Sequence, residues 1–148
     1  MDDAAMPFLL ISAFRGLVDA VHADLDAQGF PGVRATHGFA MQAIGDGCNS
    51  VELGERLGVS KQAAAKTAQS LEELGFVTRV RSDVDRRVRL LAPTPRGREM
   101  LRLSAQSFRA HVGAWRRRIG DDAVDATLAA LGAAPHAERS ATDLSEWQ

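Results

Sequence analysis

Apolar residues recur every three or four positions at both ends of the chain, the spacing of one face of an α-helix. In the first such segment this face comprises Leu10, Ile11, Phe14, Leu17, Val18, Val21 and Leu25. Pro7 is suited to a first helical turn and the glycines after residue 28 end the pattern, so a helix is predicted over about 7–29. A second helix is predicted to begin at Thr36 as its N-cap and to end at Gly45.

The segment 49–75 has the pattern of two short helices joined by a tight turn. Asn49 and Glu52 have the spacing of a capping box, and Ser60 is a good N-cap for the second helix. Gly58 supplies a left-handed residue between the two helices. One face of the second helix carries small apolar residues, whereas the opposite face carries two lysines, two glutamines and an alanine.

Two short runs of alternating apolar and polar residues follow, at Val77–Arg81 and Arg87–Leu90, and predict two strands. The charged segment between them is expected to project as a hairpin tip. Two helices, a tight turn and a charged hairpin in this order predict a winged helix-turn-helix over about 36–93, a unit that reads duplex DNA.

Two further helices are predicted after the wing, over about 94–119 and 121–132. Thr94 followed by Pro95 has the pattern of an N-cap and a first helical position. The long helix has an apolar stripe with heptad spacing, formed by Leu101, Ala105, Phe108, Val112, Trp115 and Ile119. A polar tail, 135–148, closes the chain. The predicted fold is a single domain, mainly α with a small β-wing, in which a helical dimerisation lobe accompanies the winged helix.

Charge is distributed unevenly along the 148 residues, although the net charge is only -1. Residues 56–102 carry eleven Lys and Arg against five acids, and residues 103–118 add four Arg and no acid. The positive charge therefore lies on the predicted DNA-reading unit and on the helix after it. Cys48 is the only cysteine, which excludes an intrachain disulfide. We see neither a signal segment nor an apolar run near the ~18 residues of a membrane helix, so a soluble, cytoplasmic protein is expected.

A set of short motifs occurs in a fixed order along the chain: Glu52-Leu53, Leu57-Gly58-Val59-Ser60, Leu71-Glu72, Leu74-Gly75-Phe76-Val77, Arg79, Asp85-Arg86-Arg87 and Thr94 through Gly97. In these residues the chain resembles the MarR family of transcriptional regulators, and the resemblance covers about Leu10 to Leu131. The segment Thr94 through Gly97 is similar to the Leu-Thr-x-x-Gly that opens the family's long fifth helix, with Pro93 in place of Leu.

The resemblance implies a homodimer in which the first helix and the last two form the interface. The predicted interface residues are Leu10, Phe14, Leu17, Phe108, Val112, Trp115, Ile119, Leu128 and Leu131. It also implies a pocket for a small aromatic or anionic ligand that lowers DNA affinity. Its predicted lining is Phe14, Val18, His22, Phe39 and Phe108.

The second helix of the helix-turn-helix and the wing are expected to contact DNA. Glutamine pairs well with adenine in the major groove, lysine reaches phosphates or guanine, and a helix N-terminus favours a phosphate. The residues predicted on this face are Ser60, Lys61, Gln62, Ala65, Lys66 and Gln69. In the wing, the resemblance implies that Asp85 pairs with one of Arg86 and Arg87 while the other enters the minor groove; the sequence leaves the order open. Two-fold symmetry then predicts a pseudo-palindromic site in double-stranded DNA.

The function predicted from the sequence is a homodimeric, sequence-specific transcriptional regulator, a repressor released by a ligand. It is not an enzyme and needs no cofactor or metal, because no strong catalytic or metal-binding motif appears. The alternative is a winged-helix module that binds a protein instead of DNA. Weaker hypotheses are a metal site at Asp19, His22 and Asp26 with His37 or His111, a redox role for Cys48, and a hydrolase using His22 or His111.

Overall fold

The computed structural model describes residues 2–134, so the predicted polar tail 135–148 lies outside the described residues. Within that range the fold is mainly helical with one two-stranded antiparallel sheet, as predicted. After a short 3-10 turn at Asp3–Ala5, the elements in chain order are α1 (Met6–Ala27), α2 (Ala35–Ile44), α3 (Ser50–Leu57), α4 (Lys61–Glu73), β1 (Val77–Arg81), β2 (Arg89–Pro93), α5 (Pro95–Ile119) and α6 (Asp121–Gly132).

The helix-turn-helix is formed by α3 and α4, and its local signals act as predicted. The Glu52 amide donates to Asn49 Oδ1 over 2.8 Å, and the Asn49 amide donates to Glu52 Oε2 over 3.2 Å, which completes the capping box. Gly58 has φ 63°, a left-handed conformation that costs glycine little. The Ala63 amide donates to Ser60 Oγ over 3.1 Å and caps α4.

The winged helix has a fully buried apolar core, which continues into residues of α1 and α5. Leu53 and Leu57 of α3 pack against Ala64, Ala68 and Leu71 of α4, and these five residues are at most 1% exposed. A Cβ placed at Gly54 would lie 3.5 Å from the Cβ of Ala64, so small residues set the close approach of the two helices. Full burial of a leucine contributes about 1.5–3 kcal/mol, so this cluster is a major source of stability for the unit.

The second strand of the wing was predicted two to three residues too early. The observed strand is Arg89–Pro93 instead of Arg87–Leu90, and it pairs with β1 from Val77↔Pro93 to Arg81↔Arg89. The Val88 amide donates to the carbonyl of Asp85, so residues up to 88 belong to the turn. Pairing runs on through Pro93 because the residue after it, Thr94, supplies the amide that bonds to Phe76.

The start of α2 also differs from the prediction. Its N-cap is Arg34 and its first residue is Ala35, so Thr36 is not the cap. The Arg34 amide donates to Nδ1 of His37 over 3.0 Å, so the imidazole at the third helical position takes the role that Glu or Gln plays in a capping box. The sequence signal was ambiguous because histidine is a rare capping partner.

The winged helix meets α5 at Gly97. A Cβ on this glycine would lie 2.1 Å from the carbonyl oxygen of Phe76, closer than any real contact. Thr94 caps the helix by accepting from the Gly97 amide over 3.1 Å, and Arg96 lies over the ring of Phe30 at 4.4 Å from its centroid. A glycine at this position therefore lets the long helix start directly against the wing.

The terminal helices are much more exposed than their patterns predicted. The inward face of α1 is fully buried only at Val21 and Leu25, and α5 buries Gly97, Met100, Leu103 and Ser107 in place of its heptad stripe. The apolar stripe on α5 and the face on α6 remain largely in solvent, with Ile119 and Leu128 each 54% exposed. The stripes were correctly seen, but a single chain does not cover them.

The expectation that no apolar run approaches the length of a membrane helix is wrong. The helical segment Asp3–Ala27 is long and apolar enough to cross a membrane by length and composition alone, with a mean hydropathy of 1.6. Its apolar window tolerates the two charges Arg15 and Asp19. In this fold α1 packs against α5, and Val21 and Leu25 in its C-terminal half are buried.

Candidate nucleic-acid interface

One face of α4 is exposed along its whole length. Its inner side chains, among them Ala64 and Leu71, are buried against α3, and this fixes the rotation of the helix. The structure therefore brings all six residues predicted on the DNA-facing side to solvent, namely Ser60, Lys61, Gln62, Ala65, Lys66 and Gln69. Small Ala65 lies at the centre of this face, so a duplex can approach the helix closely.

Two of these side chains already have partners within the chain. Ser60 Oγ accepts the Ala63 amide, which leaves its own O–H able to donate to a phosphate. The Gln69 amide group donates to Glu73 Oε1 over 3.1 Å. Gln69 must give up this exposed bond to contact a base, whereas no hydrogen bond within residues 2–134 restrains Gln62.

The wing tip has an ordered internal geometry. The Ser82 hydroxyl oxygen accepts from the amides of Val84 and Asp85, over 3.2 and 3.4 Å. Asp85 in turn accepts from both the amide and the guanidinium of Arg87, with Nε–Oδ1 at 3.3 Å. Arg86 is exposed and makes no hydrogen bond or ion pair within residues 2–134. The loop therefore distinguishes two arginines that the sequence could not.

Arg79 connects the wing to both helices of the motif. Its Nε donates to Glu72 Oε1 of α4 over 3.1 Å, and its NH1 donates to Ser50 Oγ of α3 over 3.3 Å. Reasoning from the sequence singled out Arg79 and Glu72 only as part of the family resemblance and gave them no contact. An exposed pair of this kind contributes at most about 1 kcal/mol, and it links the wing to the recognition helix.

A mostly apolar cavity of about 230 Å³ lies between α1, α2 and α5. All five residues predicted to line a ligand pocket are on its wall, namely Phe14, Val18, His22, Phe39 and Phe108. Phe14 and Phe39 stack there with ring centroids 6.2 Å apart. The prediction missed three polar side chains on the same wall, Arg34, Gln42 and Ser104, because their positions follow from the angle between α1 and α2 and not from any local pattern.

His37 links the cavity wall to the recognition helix. Because Nδ1 accepts the amide of Arg34, Nε2 carries the proton and donates to Ser70 Oγ of α4 over 2.9 Å. Burial lowers the pKa of His37 below its usual 6.5, with further lowering from the charges of Arg34 and His22. The ring is therefore neutral near pH 7, the state that both hydrogen bonds require.

Asp24, Ser107 and His111 form a polar cluster between α1 and α5. Asp24 Oδ2 accepts from the Ser107 hydroxyl and lies 2.9 Å from His111 Nε2, and the bond from Ser107, followed by that from His111, lowers the pKa of Asp24. The carboxylate stands between serine and histidine, so the histidine does not activate the serine. This geometry joins two helices and gives no support to the hydrolase hypothesis.

The geometry does not support the metal-site and redox hypotheses either. Within residues 2–134, no three side chains of the metal-binding kinds converge, so Asp19, His22 and Asp26 are not brought together with a further histidine. Cys48 is 1% exposed and pairs its backbone with Leu91, and burial raises the pKa of its thiol. A buried thiol with a raised pKa reacts slowly, which does not favour a redox role.

Comparisons with known proteins agree with this geometry. The sequence model of the MarR family matches residues 39–88, the segment from α2 through the wing tip. FabT of Streptococcus pneumoniae, solved in complex with DNA, superposes with a TM-score of 0.72 at 22% identity, over 88% of this chain and 92% of that chain. CouR of Rhodococcus jostii RHA1, solved with p-coumaroyl-CoA bound, gives 0.62 at 25% identity over 88% and 90%. No curated protein matches the sequence significantly.

A transcriptional regulator of the MarR family from Rhodococcus sp. RHA1 superposes as well, with a TM-score of 0.63 at 22% identity over 89% of this chain and 93% of that chain. The fold and the exposed α4 face define a winged helix-turn-helix protein with an accompanying helical lobe. The family model matches the winged helix and the solved regulator shares the fold, so the chain is similar to MarR-family transcriptional regulators.

Proposed function

We propose that this protein is a homodimeric, sequence-specific DNA-binding repressor whose DNA affinity falls when a small ligand enters the cavity. The observation that carries the DNA-binding part is the α4 face, which is exposed from Ser60 to Gln69 beside a projecting basic wing. It is not an enzyme, and its site of action is the cytoplasm. FabT, solved with DNA, has the same fold and supports this reading.

Docking follows from the exposed groups. The α4 face enters the major groove, where Gln62 and Lys66 contact base edges and the N-terminus of the helix holds a phosphate. Arg87 is held by Asp85, so we assign the braced position to Arg87 and the minor groove to Arg86. Narrow A·T-rich grooves attract such an arginine most strongly.

The second copy of the chain is proposed to cover the exposed apolar faces of the terminal helices. In one chain Phe8 is 75% exposed and Leu9 50%, and the faces of α5 and α6 are open at Trp115, Ile119 and Leu128. Apolar surface on three neighbouring helices is typical of an obligate interface. The predicted interface residues lie on these helices, and a two-fold pair of lobes places two winged helices on one pseudo-palindromic site.

The ligand is proposed to be a small compound with an aromatic or anionic part. The cavity wall is mostly apolar and carries Arg34 at one edge, which suits a flat ring with an acidic group. Arg34 also supplies the amide that holds His37, and His37 holds Ser70 on α4. A ligand that displaces Arg34 thereby shifts the recognition helix. CouR, solved with p-coumaroyl-CoA, supports ligand binding in this fold.

The test begins with selection of duplexes from a random pool, followed by fluorescence anisotropy on the selected site. We expect nanomolar-range affinity that falls steeply with salt, because lysine and arginine release counterions from the phosphates. A Lys66→Ala variant is expected to relax base preference at one position in each half-site. Enrichment of no duplex, or binding that ignores salt, would favour the alternative of a protein-binding winged helix.

A further inference from the structure

The base of the wing carries two arginines that face each other across the strands. In the β1–β2 ladder Arg81 is directly opposite Arg89. The next pair toward the tip, Ser82 and Val88, is joined by a hydrogen bond of 3.0 Å, so Arg81 and Arg89 form a pair of the non-hydrogen-bonded type. Pairs of that type bring their side chains closest together, and both side chains stand on the same face of the sheet.

This face is the one that meets the helix-turn-helix. Arg79 lies two residues before Arg81 on the same face, and it bonds to Glu72 of α4 and Ser50 of α3. Opposite Arg79 is Leu91, which is fully buried. The face is therefore buried at Leu91, whereas Arg79 is partly exposed although it bonds to both helices, and Arg81 and Arg89, one step further out, are exposed.

The charges of this pair are not balanced within the protein. Neither Arg81 nor Arg89 makes an ion pair or a side-chain hydrogen bond within residues 2–134, whereas Arg79 is matched by Glu72 and Arg87 by Asp85. Like charges directly opposite on a sheet destabilise it. The wing thus retains an unfavourable pair of exposed charges two residues from Arg79, which bonds to the recognition helix.

We propose that Arg81 and Arg89 form a clamp for a single DNA phosphate group, separate from the arginines at the wing tip. Arginines at directly opposite positions of two strands bring two guanidinium groups within reach of one phosphate, which can accept several charge-assisted hydrogen bonds from them. The clamp fixes how deeply the wing enters the groove and reads no base. The inference rests on the proposed DNA binding and assigns to it a contact that the tip residues do not supply.

The test compares the full-length protein with an Arg81→Gln/Arg89→Gln variant on one selected duplex over a range of salt concentrations. Each lost phosphate contact lowers the slope of log K against log salt by about 0.9. One phosphate contact is lost per protomer, so the slope is expected to become shallower by about 1.8 for a dimer on two half-sites. The base preferences recovered by selection are expected to stay unchanged.

The matched control is Arg117→Gln/Arg118→Gln at the end of α5, which removes the same charge and is expected to leave the slope within about 1 of the wild type.

Thermal unfolding provides the second measurement. Removing a like-charge pair is expected to leave the melting temperature of the Arg81→Gln/Arg89→Gln variant unchanged or raised. An unchanged salt slope, an equal loss in the control, or a lowered melting temperature would each overturn the clamp. If the wild type enriches no duplex at all, the proposed function fails and the clamp fails with it; a wild type that binds normally beside an unaffected variant rejects the clamp alone.

Discussion

The winged helix and the helical lobe of this protein are built on the same kind of apolar periodicity, yet only the first is complete in one chain. Leu53, Leu57 and Leu71 of the winged helix are at most 1% exposed. In the lobe, Ile119 and Leu128 have equally regular spacing and are 54% exposed. Periodicity thus predicts which face of a helix is apolar, but not which molecule covers it.

The difference assigns different tasks to the two regions. The buried core of the winged helix holds the exposed α4 face in a fixed geometry. In the proposed dimer, assembly of the open lobe is a condition for stability and function. Four sets of substitutions test this division.

The largest effect is expected for Leu128→Glu in the lobe. A buried carboxylate at a dimer interface prevents association, and loss of the second half-site should lower DNA affinity by about a thousandfold, or about 4 kcal/mol. Sedimentation velocity and anisotropy measure both effects. Val51→Glu on α3 is the control, since Val51 is 50% exposed in the closed region and should leave the dimer intact. A Leu128→Glu protein that stays dimeric would remove α6 from the interface.

Gly97→Ala tests the junction between the two regions. The added Cβ overlaps the Phe76 carbonyl, so we expect a loss of about 3 kcal/mol or more in the free energy of unfolding. Gly113→Ala on the same helix is the matched control, because its nearest neighbour is 3.7 Å away and alanine favours a helix by about 1 kcal/mol. Urea unfolding of both variants gives the comparison. Equal stabilities would mean that α5 does not start against the wing.

Substitutions of the wing arginines test how the winged helix binds DNA, because these side chains lie outside its core. Arg86→Ala is expected to weaken binding to the selected duplex by roughly 30-fold, about 2 kcal/mol, whereas Arg87→Ala should cost less because Arg87 braces the loop. Arg109→Ala on α5, an exposed arginine away from the wing, is the control. A larger loss for Arg87→Ala would mean that Arg87 enters the minor groove and Arg86 braces the loop. No loss in either variant would reject the proposed docking of the wing on DNA.

His37→Gln is expected to have the smallest effect, about 1–2 kcal/mol of unfolding free energy at pH 7, since an amide cannot make both hydrogen bonds of the ring. The folded pKa of His37 lies below its unfolded 6.5, so the unfolded chain takes up the proton first as the pH falls. The stability advantage of the wild type over this variant is therefore full above pH 7 and shrinks below 6.5. His22→Gln, which loses no hydrogen bond within residues 2–134, is the control. An advantage that grows in acid would contradict the neutral ring.

The order and type of the helices and of the wing could be predicted because their signals are local. Asn49, Gly58 and Ser60 each act within a few residues of their own position, and Thr94 caps α5 in the same way. The exposed face of α4 followed from the small residues on its other side. The predicted pocket residues were brought together because three helices cross near their aromatic side chains.

What could not be predicted depends on contacts between distant segments. Arg34 and Ser104 line the cavity only because α1, α2 and α5 cross at a particular angle, and His37 meets Ser70 from 33 residues away. That Arg81 lies opposite Arg89 follows from the register of the two strands. The sequence prediction began β2 too early and so could not provide that register. The exposed faces of the lobe can be recognised in the sequence, but what covers them depends on contacts outside one chain.

Hydroxyl-radical footprinting of the wild-type protein on its selected duplex tests the central claim most directly. A dimer with two closed winged helices predicts two equal sets of protected sugars, related by a dyad, with centres about one helical turn apart on one side of the DNA. Minor-groove protection is expected to flank each set, where the wings lie. A single asymmetric protected segment, or no protection at any site, would contradict an account in which two copies of this chain bind DNA together.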